Sequence, residues 1–134
     1  MLAIVLFASL TLESCAELCS TEAIEHYARL NAAAAMTRHE SERGAFLVRR
    51  SDGRLTELRW QPGEATGASY TGRIPPGCIA IIHTHPLVAP EPSVQDVAEA
   101  KRLHLPIVVI TPDGITAAMP DGRKARLLER GWNQ

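Results

Sequence analysis

Residues 79–100, IAIIHTHPLVAPEPSVQDVAEA, constrain the fold of this chain more than any other stretch. Four apolar residues lead into two histidines one residue apart. A proline-rich hop follows, and Ser93 then opens a helical pattern with Asp96 three positions on. Alternate residues of a strand share a face, so His83 and His85 project side by side. Pro86 has no backbone donor and turns the chain off the sheet, which leaves both rings at the strand's end. Two neutral imidazoles one strand repeat apart can converge on one divalent ion at Zn–N distances of about 2.0–2.1 Å.

The Ser93-x-x-Asp96 string has two readings. It is the pattern of a capping box, and capping alone accounts for it. Residues three apart on a helix are also surface neighbours. The Asp96 carboxylate can therefore supply a third ligand and leave one tetrahedral position open for water, which is the catalytic rather than the structural kind of zinc site. Each string is common by itself. The joint spacing, H-x-H-P, six further residues and then S-x-x-D, is much harder to obtain by accident.

The flanking pattern supplies a scaffold. STEAIEHYARLNAAAAM reads as a helix capped by Ser20 or Thr21, with early glutamates at its positive end. ERGAFLVRR and RLTELRW are short strand-like runs, and the Asp52-Gly53 pair between them is a hairpin signal. Residues 61–77, rich in Gly and Pro, read as a loop or irregular strand. CIAIIHTH is an apolar strand, SVQDVAEAKRLHL a helix stopped before Pro106, and PIVVIT and ITAAM are further strands separated by a Pro-Asp-Gly turn. This order of helix, hairpin, strand, helix and strands predicts an α/β (α+β) fold with helices flanking a curved mixed sheet. The 134 residues suit one ordinary domain, expected over 21–134.

Residues 1–20 are a separate question. LAIVLFASLTL has the length of a signal-peptide apolar core, with small residues at Ser14-Cys15-Ala16. Yet no Lys or Arg precedes it, the first being Arg29. Export to the periplasm or medium, and a cytoplasmic protein with a buried first element, both remain open. The run is too short for a stable membrane span. A net charge of −1, with no basic stripe interleaved with aromatics, argues against nucleic acid as the partner. Three cysteines without a C-x-x-C pair support neither a zinc ribbon nor a disulfide framework.

The string HTHPLVAPEPSVQD resembles the H-x-H-x7-S-x2-D signature of the JAMM (JAB/MPN) metalloprotease family, with every fixed position filled. The family pattern also has an upstream glutamate before a glycine-containing strand, and SERGAFLV offers Glu42 with Gly44 after it. Glu40 is the other candidate. The likeness spans roughly residues 38–119 and is closest to small prokaryotic JAB-like proteins. It implies a JAB/MPN-like, cytidine-deaminase-like architecture in which His83, His85 and Asp96 bind Zn²⁺. Glu42 would take a proton from the attacking water and pass it to the leaving amine. Ser93 would hydrogen-bond the oxyanion. The implied reaction is hydrolysis of a peptide or isopeptide bond, with a peptide or protein substrate such as a ubiquitin-like tail. No large insertion of the kind that holds ubiquitin is evident.

The rival reading is a catalytically silent MPN-like binding or assembly module, against which stands the retention of every ligand. Other hydrolase patterns are absent: there is no H-E-x-x-H, no G-x-S-x-G, and no H-x-E with a later P-C-x-x-C. Among the remaining polar residues, His26 and His39 are expected to be solvated, and His104 to suit the negative end of its helix. Cys78 is expected in the core on the face opposite His83. Asp52, Glu64, Glu91, Asp113 and Asp121 are expected in turns or loops.

Overall fold

The computed structural model describes residues 16–35, 43–60, 65–66, 69–70, 72–85 and 91–134. The apolar start, His39, Glu40, Glu42, Glu64 and the hop at 86–90 lie outside the described residues. The elements run α1 (Thr21–Ala35), β1 (Gly44–Arg49), β2 (Leu55–Arg59), β3 (Ala65–Thr66), β4 (Ser69–Tyr70), β5 (Cys78–Thr84), α2 (Val94–Leu103), β6 (Ile107–Thr111), β7 (Gly114–Ala118) and β8 (Lys124–Leu128). Six strands form one mixed sheet in the order β2-β1-β5-β6-β7-β8, and β3 and β4 pair separately.

The topology follows from the connections. Tight turns join β1 to β2, β6 to β7 and β7 to β8, and these neighbours are antiparallel. At the first of them Gly53 takes φ +85°, the left-handed conformation that the Asp-Gly pair anticipated. Among the described residues only β5 and β6 are parallel, and α2 is the crossover between them. Crossing by way of α2 brings the helix start back to the carboxyl end of β5.

Side-chain alternation divides the core. Ala45, Leu47, Ile82, Val108, Ile110 and Ala117 pack with Tyr27 and Leu30 of α1 on one face. Phe46, Val48, Ile81, Ile107 and Ala118 pack with Ala100 of α2 on the other. Helices thus cover both faces of a mixed sheet, as the element order predicted. Among the described residues no helix is long and apolar enough to cross a membrane.

Two expectations are corrected. His26 is buried rather than solvated: its Nδ1 lies 2.8 Å from Glu57 Oε1 and its Nε2 lies 3.3 Å from the Leu55 carbonyl. Its partners stand on β2, about thirty residues away, where local pattern cannot reveal them. Cys78 packs on the α2 face with Val48 and Ile81, the same face as His83. The register shifts between Leu47 and Val48, so Ala80 opposes Leu47 while Cys78 opposes Val48. Ile79 is the extra residue, and such a bulge inverts the parity of everything before it.

Candidate metal centre

Strand parity aims the two histidines. His83 and His85 share the α2 face with Ile81, at the carboxyl end of β5 where the α2 crossover begins. His83 is 1% exposed and His85 7%, unusually deep for imidazoles. Their rings meet edge to face at a centroid distance of 4.7 Å.

Asp96 closes the group from the helix. Its carboxylate is fully buried and faces both rings: Oδ1 lies 3.1 Å from His83 Nε2, and Oδ2 lies 3.2 Å from His85 Nε2. The capping box fixes this carboxylate. The Ser93 amide donates to Asp96 Oδ2 at 2.7 Å, and the Asp96 amide donates to Ser93 Oγ at 3.1 Å. The two readings of S-x-x-D are therefore compatible, because the cap orients the carboxylate towards the histidines.

Charge follows geometry. Burial alone pushes the Asp96 carboxyl upwards, but the two histidines and the Ser93 amide outweigh it and hold the group far below the usual carboxylate range. Asp96 is thus anionic at neutral pH, the form that ligates a cation.

The residues fit a divalent ion on their own chemistry. One donor atom from each of His83, His85 and Asp96 lies within 4.8 Å of the others, in a buried pocket of two imidazole nitrogens and a carboxylate. The two nitrogen–oxygen separations, 3.1 and 3.2 Å, are close to the roughly 3.4 Å between ligands that share a tetrahedral ion at about 2.1 Å. Mixed nitrogen and oxygen donors suit zinc and its neighbours in the transition series better than calcium or magnesium.

The upstream glutamates lie outside the described residues, but the anchor next to Glu42 does not. Arg43 is pinned to Thr84, the residue between the histidines: its amide donates to Thr84 Oγ1 at 2.9 Å and its carbonyl accepts from the Thr84 amide at 2.8 Å. Gly44 then pairs with His83. Trp60 at the end of β2 reaches the same place, its ring centroid 6.5 Å from that of His83. Sequence reasoning passed over Trp60, whose only local signal was an aromatic at a strand end. Glu91 is an exposed loop residue, and Asp52, Asp113 and Asp121 sit at turns, as expected.

Residues 24–128 match a family described as prokaryotic homologs of the JAB domain, a span that includes both histidines, Ser93 and Asp96. No similar chain was found among curated proteins or solved structures.

Proposed function

This chain belongs to the prokaryotic homologues of the JAB domain, and on that premise we propose that it is a zinc-dependent hydrolase of peptide or isopeptide amide bonds. One observation carries the reading: two buried histidine nitrogens face the two oxygens of one buried carboxylate. Such a group is costly to bury without a cation or a proton to balance it. Residues 21–134 serve as a single metallopeptidase domain in this proposal.

His83, His85 and Asp96 hold the ion. When bound, it supplies the Lewis acidity that makes water nucleophilic near neutral pH and polarises an amide carbonyl. Glu42 is the general base: it accepts the proton of the attacking water and returns it to the leaving amine. The double hydrogen bond between Arg43 and Thr84 supports this role, because it ties the residue after Glu42 to the histidine strand. Ser93 donates its hydroxyl proton to the oxyanion as negative charge grows there. The substrate is a peptide or protein, with a ubiquitin-like carboxyl tail as one candidate.

Metal content and turnover test the proposal together. Protein purified without added zinc is expected to carry stoichiometric metal and to cleave members of a peptide and isopeptide library. Glu42→Gln is expected to keep the metal and lose turnover; loss of the metal instead would make Glu42 a ligand. Failure to bind zinc even when it is added would sink the enzyme and favour a silent assembly module.

A further inference from the structure

Rotation about the second side-chain torsion of His83 is soft, so what packs against its ring bears on its orientation alongside Asp96. The sheet supplies a neighbour by an unusual route. On the α2 face the row across β2, β1 and β5 reads Trp60, Gly44, His83. The Trp60 amide donates to the Gly44 carbonyl at 2.9 Å, and Gly44 is the register partner of His83.

Side chains two strands apart start roughly 10 Å from one another and are normally separated by the side chain between them. Here the intervening residue has none. The indole lies across the bare Cα of Gly44, so a Cβ at that position would stand 2.1 Å from Trp60 Cε3 and 2.2 Å from Cζ3. The indole is thereby brought to 6.5 Å from the His83 ring, tilted by 32°. Phe46, two residues along the same face of β1, meets the indole edge to face at 6.3 Å and holds it down.

We propose that Trp60 is the positioning residue of the metal centre: seated on Gly44, its indole holds the His83 imidazole in its ligating orientation and shields that side of the centre from water. The proposal rests on His83 being a ligand. Gly44 is then required for lack of bulk rather than for backbone freedom. Hydrophobic groups around a site control its dielectric and solvent access, and residues that orient a ligand typically change metal affinity about 10–100-fold when removed.

The test titrates metal-free protein with Co²⁺, followed by visible absorption, in the wild type, Trp60→Leu, Trp60→Phe, Gly44→Ala and the double variant Gly44→Ala/Trp60→Leu. Trp60→Leu and Gly44→Ala are each expected to weaken Co²⁺ binding about 10–100-fold, while the flat ring of Trp60→Phe restores most of it. If both act through the indole, the double variant is no worse than the weaker-binding single variant, since residues sharing one path are not additive. A core-filling role alone would lower the unfolding midpoint without this pattern. Native affinity in a folded Trp60→Leu, or additive losses in the double variant, overturns the proposal. Should Trp60→Leu not fold, Trp60→Met keeps the bulk without the ring and carries the same comparison.

A wild type that binds no Co²⁺ would instead overturn the metal reading itself. The hold of Trp60 on His83 is then decided in metal-free protein by the ¹⁵N resonances of the His83 ring. They are expected to shift or broaden when Trp60 is replaced by Leu or Met, and unchanged resonances reject the positioning role.

Discussion

On the proposed mechanism Ser93 would have two jobs that use different parts of one hydroxyl. Its oxygen accepts the Asp96 amide at 3.1 Å, which occupies a lone pair and leaves the hydroxyl proton free to donate. Capping and oxyanion binding are therefore compatible, and two substitutions separate them. Removing the cap with alanine costs about 1 kcal/mol, whereas glycine at an N-cap costs only a few tenths. Ser93→Gly is thus expected to keep close to native stability and metal content while turnover falls about 10²–10³-fold, the usual loss for one oxyanion donor. Ser93→Ala is expected to lose the same activity and also stability, measured by urea unfolding alongside steady-state rates. Equal activity in the wild type and Ser93→Gly would leave Ser93 as a cap alone. The histidines, Ser93 and Asp96 were legible because each of their relations is local: strand parity for the pair, one helical turn for the box. Trp60 and Gly44 were not, because only the register between β1, β2 and β5 makes them neighbours of His83.

At the level of elements, the same division between local and distant signals recurs. The β1–β2 hairpin was readable from Asp52-Gly53, and α2 from its capping box and the approach of Pro106. The end of α2 was readable too, with His104 in the left-handed conformation at φ 56° that closes the helix before the proline. The docking of α1 on β2 was not readable, since it depends on pairs across the fold. Glu22 accepts the Leu55 amide at 2.7 Å, and Glu57 meets both His26 and Arg59. Burial pushes the Glu57 carboxyl up, but its bonds to His26 and Arg59 outweigh this and hold it below its ordinary value of 4.5. A carboxyl lowered on folding binds fewer protons folded than unfolded. Its contribution is complete above the unfolded value and is lost as pH falls through the folded one. The wild type is therefore expected to lose more stability than Glu57→Gln as pH drops from neutral to below 4.5, read as the difference between their urea midpoints. Parallel curves would show that the pair does nothing for the docking of α1.

Over the whole molecule, the sheet and the parallel crossover through α2 bring the three donors together from two elements. The histidines come from the end of β5 and the aspartate from the first turn of α2, so an ion held between them ties the strand to the helix across the hop at 86–90. The unfolded chain offers no such preformed set, so metal binding is linked to folding. A ligand at 100 times its dissociation constant stabilises the folded state by about 2.7 kcal/mol. For a chain of this length that raises the Tm by roughly 10 °C. Zinc is accordingly expected to lift the thermal midpoint of metal-free protein by that order, and a chelator to reverse it. Asp96→Asn keeps the shape of the side chain and an acceptor for the Ser93 amide but removes the charge that would ligate the ion. It is expected to fold and to show little zinc-dependent shift. A full shift in Asp96→Asn would mean that zinc binds elsewhere on the protein, and the centre built from β5 and α2 would have to be abandoned.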